Sequence, residues 1–178
     1  GDFDIAGKVL SQGTDIMTRK LIDFFIEING EPPMKYCWVV YGSQAREDQT
    51  MGSDQDNALL LERDPDSAEA EYFAAFAEYV CKGLGKCGIK LCDGNIMASN
   101  PDLRLSLDAA VKQAKQWIRT TTPEAILEFN IFLDSRAVAG DRTLFKRLQQ
   151  LRKPILQDNI FLAALARNSN QESVPLSM

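Results

Sequence analysis

Asp54 and Asp56, two carboxylates separated by one residue, are the side chains in this sequence best suited to chemistry. An apolar run, Ala58 to Leu61, follows at once. On an extended strand residues i and i+2 share a face, so the pair projects side by side and repels itself unless a cation sits between. That is half of a divalent-metal site. Upstream, the apolar run Cys37 to Tyr41 leads into Gly42-Ser43. A glycine at that point lets backbone approach phosphate closely, and N–H groups with the Ser43 hydroxyl can bind phosphate oxygens. A third carboxylate, Asp134, ends another apolar run, Phe129 to Leu133. Three carboxylates and two metal ions fit the two-metal scheme for attack on a phosphoryl group, with one ion on a triphosphate and the other activating an acceptor hydroxyl. Asp134 or bulk water would serve as base.

The chain contains no histidine. That removes Ser-His-Asp and Cys-His catalysis and histidine-bound metals. Any metal must be held by oxygen, which points to Mg²⁺ or Mn²⁺. The four cysteines, Cys37, Cys81, Cys87 and Cys92, form no Cys-x-x-Cys pair. Their spacing is wrong for a zinc knuckle, and reduced thiols of a cytoplasmic protein are expected. A net charge of −5 argues against nonspecific binding to nucleic acid or anionic membrane. No apolar run is long enough for a transmembrane helix. Gly1-Asp2-Phe3-Asp4 carries neither a signal-peptide pattern nor a starting Met, so a piece of a longer protein is expected.

The elements that must position these residues read as follows. Residues 4 to 29 predict helix, with Met17, Leu21, Phe24 and Ile28 as its stripe and Gly7 and Gly13 as possible breaks. Tyr36 to Tyr41 and Asp56 to Glu62 read as strands, joined by a turn from Gly42 to Gly52. After Asp64-Pro65-Asp66-Ser67 an amphipathic helix carries Tyr72, Phe73, Phe76, Val80 and Leu84 and closes at Gly83 and Gly85. Gly88 to Leu91 reads as a short strand and Cys92 to Pro101 as a loop. Leu107, Ala110, Val111, Ala114, Trp117 and Ile118 mark another helix. Phe129 to Leu133 is a strand ending in Asp134-Ser135-Arg136, and two helices follow, 140–152 and 154–168.

The arrangement of strand, Gly-Ser, short helix and Asp-x-Asp resembles the polymerase-beta nucleotidyltransferase superfamily. It is closer to the group of PII uridylyltransferase and glutamine-synthetase adenylyltransferase, whose Gly-Ser-x-x-Arg-x-Glu and Ser-Asp-x-Asp are matched by Gly42, Ser43, Arg46, Asp48 and Ser53-Asp54-Gln55-Asp56. Ile131 to Arg136, followed by Gly140-Asp141, is similar to the later strand of that group, which carries the third metal aspartate. Pro32-Pro33, Tyr36-Cys37-Trp38, Asp54 to Leu59 and Cys92 to Ala98 resemble the nucleotidyltransferase domain of bacterial proteins with CBS and cyclic-nucleotide-binding modules. The resemblance spans roughly residues 5 to 165. It implies sensory domains upstream, a nucleoside triphosphate substrate and a protein tyrosine as acceptor.

The expected fold is α/β: a small mixed sheet with helices on one side, a helical bundle around it, and helical extensions at both ends. Its parts would be an N-terminal helical segment (1–35), a nucleotidyltransferase core (36–140), C-terminal helices (141–168) and a flexible tail (169–178). Asp54, Asp56 and Asp134 are the expected metal ligands, and Gly42, Ser43, Arg46 and Arg136 the phosphate ligands. For Arg136 the competing reading is a salt bridge to an aspartate; for Arg46 it is a solvated helix residue. Gln55 and Asn57 should face away from the acids and fix the strand by hydrogen bonds. Against catalysis stands a regulatory module that binds nucleotide or a partner without transfer.

Overall fold

A computed structural model describes residues 1–119 and 134–158. The order is α1 (Asp2–Asn29), β1 (Tyr36–Tyr41), α2 (Gly42–Arg46), β2 (Asn57–Leu61), α3 (Ser67–Lys86), β3 (Arg104–Ser106), α4 (Leu107–Arg119), β4 (Ser135–Gly140) and α5 (Arg142–Asp158). The four strands form one mixed sheet in the order β3-β2-β1-β4. β1 is antiparallel to both β2 and β4, and β2 is parallel to β3.

Alternation along the strands divides the core between two faces. Trp38 and Val40 of β1, Leu59 and Leu61 of β2 and Val138 of β4 point one way and pack with Ile22 and Phe25 of α1 and Phe73, Phe76 and Val80 of α3. Cys37, Val39, Tyr41, Ala58 and Leu60 point the other way, onto Leu107 and Ala110 of α4 and Leu144, Phe145 and Leu148 of α5. Helices therefore cover both faces, not one. Phe76 anchors the first layer, its ring 5.3 Å from Phe25 and 5.1 Å from Tyr36 in edge-on contacts.

Several local expectations change. α1 is a single helix through Gly7 and Gly13. Its buried face is Gly7, Ser11, Thr14, Asp15, Thr18, Ile22 and Phe25, while Phe24 and Ile28 of the expected stripe are exposed. Buried hydroxyls on this face bond back to the helix's own carbonyls, Ser11 to Gly7 and Thr18 to Thr14, so burial there needs no apolar side chain. α3 starts from a capping box between Asp66 and Glu69 and runs through Gly83 and Gly85 to Lys86; Gly83 admits the Leu21 side chain of α1. No strand forms from Gly88 to Leu91, where only a bridge between Lys90 and Asp54 remains. β3, unforeseen, pairs with β2 instead. β4 begins where a strand was expected to end, and Asp134 immediately precedes it. α5 continues through Pro154 where two helices were expected. Phe129 to Leu133, the last residues of the expected final helix and the tail 169–178 lie outside the described residues.

Candidate active site

The antiparallel pairing of β1 with both neighbours gathers the candidate residues. Val40 sits opposite Asn57, and Tyr41 opposite Ser135. The exit of β1 into Gly42, the approach to β2 through Asp54 and Asp56, and the approach to β4 through Asp134 thus share one end of the sheet.

Gly42 opens α2 with φ +62°, a left-handed conformation that side chains disfavour. A Cβ at this position would stand 2.9 Å from the Asp56 Oδ2. The Tyr41 N–H donates to the Asp56 carbonyl at 2.9 Å, which fixes this approach. Glu47, in the left-handed region at φ 59°, ends α2 after its five residues.

Asp54 and Asp56 are both half-buried. Burial pushes the Asp56 carboxyl up to about 6, with the Asp54 charge adding to the rise. Two groups oppose it: the Cys92 thiol, which donates to Asp56 Oδ1 at 3.4 Å, and the Arg46 guanidinium. Between the acids, Gln55 turns inward and is 2% exposed, its Nε2 donating to the Cys81 and Ile89 carbonyls. Asn57 accepts from the Ala98 N–H at 2.7 Å and donates to Gln55. Both are structural, as their alternation with the acids implies. Through Asn57 the loop from Cys92 to Asn100 is bound to the start of β2.

Asp134 is exposed, and its Oδ2 lies 4.0 Å from Arg46 Nη1. Arg46 also bonds Asp48 at 3.1 Å. Among the described residues no three acidic, cysteine or histidine side chains converge closely enough to hold a metal; the cation facing Asp134 here is Arg46. The donors that fit a hard divalent cation are Asp54 and Asp56, an all-oxygen pair whose mutual repulsion such an ion relieves.

Arg136 does not face this end of the sheet as a free cation. Its guanidinium holds Asp15 of α1 at 2.6 and 3.2 Å and donates to the Gln44 carbonyl at 2.8 Å. The aspartate salt bridge is therefore the reading that the structure supports. Lys90 lends its carbonyl to the Gln55 N–H. Asp15, Gln44 and Cys92 went unrecognised in the sequence. Each meets the site through a long-range contact that no local spacing encodes.

A mixed sheet here brings a Gly-Ser turn onto an Asp-x-Asp pair, and the family match supports a nucleotidyltransferase-like domain. The chain belongs to the family described as "Putative nucleotidyltransferase DUF294", whose model matches residues 2–124. That match includes Gly42, Ser43, Arg46, Asp54 and Asp56, ends before Asp134 and Arg136, and is shorter than the span of the resemblance. Neither the curated proteins nor the solved structures yielded a match. No helix among the described residues is long and apolar enough to cross a membrane.

Proposed function

We propose that this domain transfers a nucleoside monophosphate from a nucleoside triphosphate to an acceptor hydroxyl, releasing pyrophosphate. The observation that carries the reading is the approach of the Asp56 carboxylate to the Gly42 backbone, which sets the Gly42–Ser43 turn against an acidic pair. Asp54, Asp56 and Asp134 are the residues that would hold the metal, Mg²⁺ or Mn²⁺, and Arg46, now beside Asp134, would pair with phosphate. The metal supplies charge neutralisation on the triphosphate and a lowered pKa at the acceptor hydroxyl. Gly42 and Ser43 bind the β- and γ-phosphates, and Arg46 adds the positive charge that Arg136 has spent on Asp15. The acceptor is a protein hydroxyl, as in PII uridylyltransferase. Sensory modules precede the domain in a longer bacterial signal-transduction protein that works in the cytoplasm.

A second reading has its own support. Arg46 beside Asp134, with no three-acid cluster among the described residues, also suits a module that binds nucleotide or a partner without transfer. Incubation with labelled nucleoside triphosphates, Mg²⁺ and candidate acceptor proteins separates the two. Label on an acceptor that disappears with Asp56→Asn supports transfer. Metal-independent nucleotide binding with no label on any acceptor supports the second reading.

A further inference from the structure

Behind the Gly42–Ser43 turn lies a group of side chains that touch no candidate ligand. Asp15, in the middle of α1, has its side chain 8% exposed, and Gln44 of α2 is 7% exposed. Gln44 Nε2 donates to Asp15 Oδ1 at 2.9 Å. Arg136 of β4 donates to both oxygens of the same carboxylate and to the Gln44 carbonyl. Gln44 is thus held twice, by its side chain and by its backbone, from two separate elements.

α2 needs such a hold. Five residues are too few for a helix to be stable by itself, so its direction must be set from outside. A planar guanidinium can bridge a carboxylate and a carbonyl at once, which a lysine ammonium does as a point charge with less directional control. A partly buried ion pair of this kind is weak evidence for stability; what it does here is tie α1 and β4 to the same residue of α2.

We propose that Asp15 and Arg136 are positioning residues that act through Gln44 to orient the Gly42–Ser43 turn toward phosphate. This rests on the phosphate-binding reading of that turn. Asp15 holds the Arg136 guanidinium over the Gln44 carbonyl and Arg136 balances the buried Asp15 charge, so loss of either charged partner disturbs both holds on Gln44 and with them the turn. Arg136 reaches the chemistry through the backbone of α2, not by contact with triphosphate.

The test is an amide NMR titration of the full chain with Mg²⁺ and inorganic tripolyphosphate, on wild type, Asp15→Asn, Arg136→Gln, the double variant and Arg136→Lys, with circular dichroism as the check of fold. Wild type should show saturable shifts at Gly42 and Ser43. Each single variant should weaken this by about tenfold, because misplacement of a group by a mutation that does not touch the ligand carries a large cost. The double variant should be no worse than the singles, and Arg136→Lys should recover part of the loss. Affinities equal to wild type in the folded variants, or losses that add, would overturn the proposal and leave the phosphate site intact. Absence of Gly42 and Ser43 shifts in wild type overturns the phosphate site itself, and the proposal with it. Should the Asn and Gln variants lose their fold, Arg136→Lys decides: a folded protein with unchanged affinity overturns the proposal, and a weakened one supports it.

Discussion

Asp56 Oδ2 lies 2.9 Å from where a Cβ would stand on Gly42. The turn and the acid are therefore one structural unit: a side chain at 42 must push on the carboxylate, and a moved carboxylate opens the turn.

Gly42→Ala should accordingly damage both. The left-handed backbone costs an alanine about 1 kcal/mol, and the contact with Asp56 adds displacement of the carboxylate. Urea denaturation should show a loss of about 1–2 kcal/mol, and calorimetry a weaker Mn²⁺ affinity. Unchanged values in both would mean that the two residues are independent.

Asp56 should make stability depend on pH in a direction opposite to that of a salt-bridged acid. Its carboxyl is raised from 3.8 to about 6, so the folded protein favours the protonated form. The stabilisation is fully present below the ordinary value and is lost as pH rises through about 6. Asp56→Asn removes this dependence. Without metal, the variant should gain on wild type by about 1 kcal/mol between pH ~5 and pH ~7, a figure reduced for the partial exposure of the group. Denaturation curves at both pH values check it; a constant difference would contradict it. Protons should also compete with Mg²⁺ below about pH 6.

The four thiols should react in an order set by burial. Cys87 is exposed, Cys92 intermediate, and Cys37 and Cys81 buried. Burial also pushes Cys92 up from its ordinary range and Cys37 up to about 12. Iodoacetamide labelling followed by mass spectrometry should find Cys87 first, Cys92 second, and the other two only on unfolding. Mg²⁺ with a nucleoside triphosphate should slow Cys92 and leave Cys87 unaffected, since only Cys92 touches Asp56. Equal protection of both would place the ligand elsewhere.

Gly7→Ala offers a contest of opposite signs. Alanine gains about 1 kcal/mol over glycine within a helix. Here the added Cβ would stand 2.9 Å from the Asp48 Cα, a backbone atom in the loop after α2, and such overpacking costs about 1–3 kcal/mol. We expect a net loss of about 1 kcal/mol in urea denaturation; a gain would show that the loop yields freely.

How much of this was legible depended on whether the signal was local. Tyr36–Tyr41 and the alternation of Asp54 and Asp56 with Gln55 and Asn57 follow from period-two patterning, and the structure places them accordingly. α1 misled because the side chains on its buried face pair with distant groups: Asp15 carries no local signal, and its partner Arg136 lies on β4, 121 residues away. β3 was missed because three residues, Arg104 to Ser106, carry too short a pattern, and their pairing with β2 is tertiary. Gly83 reads as a helix stop yet serves to admit Leu21. Asp134 precedes β4 and faces Arg46, while the apolar run Phe129 to Leu133, from which its place at a strand end was read, lies outside the described residues.

The central claim is that the Gly42–Ser43 turn and the Asp54–Asp56 pair form one metal–triphosphate site. A crystal structure with Mg²⁺ and a non-hydrolysable nucleoside triphosphate tests it most directly. Metal is expected about 2.0–2.1 Å from carboxylate oxygens of Asp54 and Asp56, with the β- and γ-phosphates against Gly42 and Ser43. A triphosphate bound away from that turn, or no metal at the pair under saturating Mg²⁺, would contradict it.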